Sequence, residues 1–135
     1  MKLTIFVRTL FLLFTALTLS ACTQAESPFA RFTPDDFESL QANGKTVLID
    51  VHAVWCPTCK KQGGILQAFQ AAHPQCELNI LSVDFDEQKE WVTHFKAPRQ
   101  STLILFKEGT QRWFSVAETR ADVIRQALLS HLDNC

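Results

Sequence analysis

Val47-Leu48-Ile49-Asp50-Val51-His52-Ala53-Val54-Trp55-Cys56-Pro57-Thr58-Cys59 decides how this chain is read. The apolar run that opens it suggests a strand buried on both faces, as at the centre of a parallel sheet. The run leads into two cysteines two residues apart, with Pro57 suited to the first turn of a helix. A lone Cys-x-x-Cys can be half of a zinc site, but one at a strand-to-helix junction reads as a redox pair. The helix start aims unpaired backbone N–H groups and a partial positive charge at the first sulfur, and the thiolate is the attacking species. Cys56 is therefore expected to be the nucleophile and the more exposed sulfur. Cys59, one turn inside the helix, is expected to be shielded and to resolve the mixed disulfide. A purely structural bond between them would close too small a loop to add much stability.

The chain has 135 residues, enough for one domain with a real core. Met1-Lys2 and Arg8 precede an apolar run, Leu10 to Leu19, too short for a standard membrane span. Leu19-Ser20-Ala21-Cys22 follows and resembles a bacterial lipobox. That resemblance implies cleavage before Cys22 and lipidation of it; an ordinary secretory signal and an uncleaved anchor are the other readings. The division expected is a signal peptide at 1–21, a lipidated tether at 22–28 and a domain at 29–135. Residues 1–21 hold two of the 13 basic residues and none of the 14 acidic ones, so the mature chain has a net charge of −3. With no basic block and no aromatic-basic interleaving, nucleic acid is not an expected partner. Export implies an oxidising compartment in which disulfides persist.

Along the domain, Phe29-Ala30-Arg31-Phe32 reads as a short edge strand. Thr33 caps a helix with Pro34 at its first position and Asp36 closing the cap, and Asn43-Gly44 ends it. Lys45 to Val54 is a strand, Cys56 to Ala72 a helix weakened or bent at Gly63-Gly64, and Glu77 to Phe85 a second central strand. Glu87 to Phe95 is a short helix with Trp91 and Phe95 on one face. Thr102 to Lys107 and Gln111 to Val116 form a hairpin around Glu108-Gly109. Thr119, with Asp122 as capping partner, starts a last helix striped with Val123, Ile124, Ala127, Leu128 and Leu132.

The order β-α-β-α-β-α-β-β-α, the block Val47 to Lys60 and the later block Thr102-Leu103-Ile104-Leu105-Phe106-Lys107-Glu108-Gly109 together resemble the thioredoxin family. The resemblance implies an α/β thioredoxin-like fold, a central mixed sheet flanked by helices, from Phe29 to the C-terminus. It also implies a thiol–disulfide oxidoreductase that acts on protein disulfides and needs no cofactor. Burial without a cation raises a carboxyl pKa, and the family has a buried Asp at the position of Asp50. Asp50 is accordingly read as proton acceptor for Cys59. Trp55 is either a core aromatic or part of the active-site rim. Pro57, Thr58, Ser101 and Thr102 join it as candidate substrate-binding residues.

Ser101, in Arg99-Gln100-Ser101-Thr102, stands where the family usually has a cis-proline. A non-proline cis bond costs about 3–4 kcal/mol, so a trans bond is expected there. Without the proline ring the site is expected to be more open, with a hydroxyl near the sulfurs. His52 is a packing substitute for an aromatic, a stabiliser of the Cys56 thiolate or a metal ligand. Cys76 and Cys135 follow two helices of one face and are expected to form a structural disulfide.

Three functions compete on this reading. The first is an exported, membrane-anchored reductase drawing electrons from a membrane thiol donor. The second is a soft-metal (copper) binding or metallochaperone module built on Cys56, Cys59 and His52. The third is a redox-inert interaction domain. Thr23, rather than an aspartate, follows the lipid cysteine, which favours the periplasmic side of the outer membrane.

Overall fold

Thr46–His52 (β2) is buried at all seven positions, and the molecule is built outward from it. The computed structural model describes residues 26–133 and 135. The signal segment and Cys22 lie outside the described residues, as does most of the tether. β2 pairs in parallel with Leu78–Asp84 (β3) and antiparallel with Thr102–Lys107 (β4). Ala30–Arg31 (β1) extends the sheet in parallel beyond β3, and Thr110–Val116 (β5) pairs back on β4. The order is β1-β3-β2-β4-β5, a mixed sheet with the redox segment leaving its central strand.

Four helices cover the sheet: Pro34–Ala42 (α1), Pro57–Ala72 (α2), Lys89–His94 (α3) and Ala121–Leu129 (α4). Alternation along β2 decides which helix each residue meets. Leu48, Leu103 and Leu105 pack with Leu66 and Phe69 of α2 and with Ile124 and Leu128 of α4. Val47, Ile49 and Val51 turn to the opposite face, toward Phe37, Leu40, Val92 and Phe95. There Phe32 is the hub of an aromatic cluster, with ring centroids 4.9 Å from Trp91 and 5.4 Å from Phe95. Cys76 and Cys135 are disulfide-bonded, with Cα atoms 5.0 Å apart.

The α1 start follows its sequence signal. The Thr33 hydroxyl accepts from the Asp36 N–H at 3.1 Å and donates to the Asp36 carboxylate at 2.6 Å. Gly44, at φ +69°, turns the chain out of the helix into β2. Other boundaries move. The last helix begins at Ala121, and neither Thr119 nor Asp122 caps it. Glu118 holds that turn instead, its carboxylate accepting from the N–H groups of Thr119 and Arg120 and from the Arg120 guanidinium. Those hydrogen bonds pull the Glu118 pKa down to about 2. Helix α3 starts two residues later than expected because Asp84 accepts from the N–H groups of Asp86 and Glu87 and holds them in a turn. Helix α2 runs unbroken through Gly63-Gly64, anchored by buried Gln62, Gly63 and Leu66. Among the described residues no helix is long and apolar enough to cross a membrane.

Candidate active site

Cys56 occupies the N-cap of α2 with an extended backbone, and its sulfur accepts from the Cys59 N–H at 3.2 Å. The sulfur thus fills the place a serine or aspartate oxygen takes at other helix starts. Cys59 points inward, its sulfur 4.0 Å from the Val51 carbonyl oxygen. Both cysteines are free thiols. Cys56 is 4% exposed and Cys59 has no exposure, so Cys56 is the more exposed of the two sulfurs, although Ser101, Ala53 and Cys59 close around it. The accessible rim comes from its neighbours. Trp55 is 58% exposed and not a core aromatic, and its indole N–H donates to Asp86 at 2.7 Å. Val54 and Pro57 are exposed as well, and Thr58 is half-buried.

Ser101 lies directly beneath the sulfurs. Its hydroxyl oxygen is 3.1 Å from both Cys56 Sγ and Cys59 Sγ. Among the described residues there is no cis peptide bond. Ser101 instead adopts a left-handed backbone, φ +63°, that a non-glycine residue holds only when its surroundings enforce it. The Ser101 N–H donates to the Val51 carbonyl at 2.7 Å, and the Ser101 carbonyl accepts from the Ala117 N–H at 2.8 Å. Gln62 adds a third tie: its side-chain amide donates to the carbonyls of Ser101 and Glu118. The site is therefore not opened by the missing proline ring. Ser101 and Thr102 are fully buried, and the Thr102 hydroxyl donates to the Arg99 carbonyl. Both side chains lie beneath the rim formed by Val54, Trp55 and Pro57. Gln62 escaped the sequence reading because a glutamine in a helix ordinarily reads as solvent-facing.

Asp50 and His52 continue the line begun by Leu48 on the α2/α4 face of β2. Asp50 has no exposure, and neither of its carboxylate oxygens has a hydrogen-bond partner among the described residues. Burial pushes its pKa from 3.8 up to about 7. His52 is buried beside it, with Nδ1 3.9 Å from Asp50 Oδ2. Burial lowers its pKa, against the pull of Asp84. Among the described residues no three His, Cys, Asp or Glu side chains form a group that could hold a metal. His52 is thus not brought to the cysteines as a third ligand, because its ring is aimed at Asp50.

The two thiols are driven apart in acidity. Burial raises Cys56, but hydrogen bonds from the Cys59 side chain, the Ser101 hydroxyl and the N–H groups of Cys59 and Thr58 outweigh it and leave its pKa lowered. For Cys59, burial and the neighbouring Cys56 push the pKa up to about 11. The directions match a Cys59 thiol proton and a Ser101 hydroxyl that both point toward a Cys56 thiolate. Such a site makes Cys56 the more acidic sulfur and keeps Cys59 protonated at neutral pH, the order of acidity a dithiol reductant needs.

A free dithiol of split acidity at the head of a helix, on a mixed sheet with helices on both faces, defines a thiol–disulfide oxidoreductase of thioredoxin-like fold. The thioredoxin family model matches residues 28–130, and the chain belongs to the thioredoxin family. A thioredoxin of Chlamydia trachomatis is 33% identical over 97 residues, covering 72% of this chain and 92% of that relative. Thioredoxin-1 of Saccharomyces cerevisiae is 30% identical over 79 residues, covering 58% of this chain and 75% of the relative. Among solved structures, Trxlp from Edwardsiella tarda is 36% identical with a TM-score of 0.70, covering 74% of this chain and 97% of that one. Thioredoxins act on protein disulfides.

Proposed function

We propose that this chain is an exported, lipid-anchored member of the family that reduces disulfides in other exported proteins. The observation that carries the redox assignment is the single Ser101 hydroxyl 3.1 Å from both sulfurs, which favours a thiolate at Cys56 beside a thiol at Cys59. In the forward reaction the Cys56 thiolate attacks a substrate disulfide and expels one substrate thiolate. Asp50 takes the proton from Cys59. The Cys59 thiolate then attacks Cys56, forms the Cys56–Cys59 disulfide and releases the second substrate sulfur. Two electrons pass to the substrate, and one proton leaves Cys59. Trp55, Val54, Pro57 and Thr58 form the surface on which the substrate rests.

The envelope location rests on Lys2, Arg8, the Leu10 to Leu19 run and Leu19-Ser20-Ala21-Cys22. Cleavage before Cys22 leaves residues 22–28 as a tether, with the domain at 29–135 on the periplasmic side. Thr23 favours the outer membrane. In an oxidising compartment the dithiol must be recharged, and a membrane thiol protein is the donor class that fits.

The test is trapping. Cys59→Ser should accumulate mixed disulfides with periplasmic proteins through Cys56, while Cys56→Ser should trap nothing and lose insulin reduction. Trapping through Cys59 alone would reverse the assignment. Cys22→Ser should release the protein from the membrane fraction, and retention there would end the lipid-anchor reading. If Asp50→Asn leaves the rate of mixed-disulfide resolution unchanged across pH, Asp50 is not the acceptor.

A further inference from the structure

Asp50 poses a problem that the forward reaction does not solve. A carboxylate that takes a proton from Cys59 must lose it before the next turnover, and Asp50 has no exposed surface from which to do so. His52 stands between it and solvent. One side of the imidazole lies 3.9 Å from the Asp50 carboxylate. His52 also lines a cleft of about 950 Å³ that includes Ser82, Asp84 and Trp55, with both ring nitrogens buried, so that a small rotation of the ring is what opens Nε2 to the cleft. The side chain is 9% exposed, and neither ring nitrogen has a hydrogen-bond partner among the described residues. An apolar ring would fill the same space without leaving two buried polar atoms unmatched. Two unmatched nitrogens are what a group needs if it bonds to the carboxyl at one moment and to cleft water at another.

We propose that His52 is the proton outlet of Asp50, passing each proton from the buried carboxyl to water in the cleft beside Trp55. This rests on Asp50 being the acceptor for Cys59. A movement of about 1 Å brings Nδ1 within hydrogen-bond reach of Oδ2. The proton moves from Asp50 to Nδ1 while the Nε2 proton leaves to cleft water. The carboxylate is restored, and the imidazole resets by exchanging tautomers with solvent. No electrons move in this step. Burial pushes Asp50 up to about 7 and His52 down from 6.5, so at rest the proton stays on the carboxyl and the ring carries it only in transit. The other ionisable groups around the ring come from several elements. Asp84 faces it from β3, and the Cys56–Cys59 pair lies at the head of α2. Arg31 on β1 lines the cleft but is paired with Glu87 at 3.0 Å. Asp86, which takes the Trp55 indole N–H, and Glu26 complete the lining.

The experiment follows successive turnovers of disulfide reduction with excess electron donor and substrate, from acid to alkaline pH. His52→Ala should slow steady turnover on the order of tenfold on the acid side of the profile and less on the alkaline side, where base in the cleft is more abundant. Free imidazole, small enough for the cleft, should restore the rate in His52→Ala and do nothing for Asp50→Asn. In the Asp50→Asn background, removing His52 should add no further loss. A profile unchanged by His52→Ala, or a loss equal at every pH that imidazole does not rescue, overturns the outlet while leaving Asp50 in place. An unchanged profile for Asp50→Asn overturns the acceptor reading and the outlet together. A measurement on the unsubstituted protein guards against misfolding: nitrogen NMR of the His52 ring should show a step at the Asp50 midpoint that Asp50→Asn removes. A ring blind to Asp50 overturns the proposal.

Discussion

The two faces of the central sheet are made from alternate residues of the same strands, yet they end differently. On the α1/α3 face, Val47, Ile49, Val51, Leu81 and Val83 lie against interlocked rings of Phe32, Phe37, Trp91 and Phe95. The α2/α4 face begins the same way, with Leu48, Leu103 and Leu105, and then turns polar toward the head of α2. Asp50, His52 and Gln62 hold all the buried side-chain atoms that lack partners among the described residues. The apolar face contributes stability indifferent to pH. The polar end of the other face gives up stability in exchange for groups that titrate where the chemistry needs them.

The sharpest way to break this contrast is to damage each face and follow stability against pH. Phe32→Ala should cost about 3–5 kcal/mol, the same in acid and in alkali, in urea unfolding. A pH-dependent loss would mean that the aromatic face is tied to the titrating one. Asp50→Asn should act in the opposite direction. With a folded pKa of about 7 against an ordinary 3.8, the folded state keeps a proton that the unfolded chain releases. The native protein is therefore most favoured below the ordinary value, and stability falls as pH rises through 7. The substitution removes that fall, so it should stabilise the protein by up to about 4 kcal/mol in mild alkali and by little in acid. A gain independent of pH would place its origin in packing.

Smaller effects sharpen the comparison within the polar end. Ser101→Ala removes the hydroxyl shared by the sulfurs. The Cys56 thiolate fraction at neutral pH, read by ultraviolet absorbance, should fall on the order of tenfold. No change would assign the acidity of Cys56 to the helix start alone. Thr33→Ala, at the far-side helix cap, should cost about 1 kcal/mol and leave the pH profile of resolution untouched.

Features written in local chemistry were legible in the sequence. The succession of elements along the chain, the Thr33 cap, the Gly44 exit and the position of the two cysteines each follow from a few neighbouring residues. The carboxyl of Asp50 stood out because it interrupts an apolar run. What stayed hidden depends on residues distant in sequence. Gln62 is polar and helical, and only the carbonyls of Ser101 and Glu118 draw it inward. The helix start told which sulfur is the more exposed, but not that Ser101, 45 residues away, closes over it. Thr119 had a capping pattern that the Glu118 carboxylate overrode.

The sulfur that caps α2 ties oxidation state to the tautness of a helix. While Cys56 is anionic, it grips the Cys59 amide hydrogen and keeps the opening coil wound. Bonded to its neighbour, it is uncharged and a weaker acceptor for that amide, and the hold on the coil drops. Deuterium uptake at one backbone position therefore becomes a gauge of how many molecules in a population are electron-loaded, readable without any substrate present.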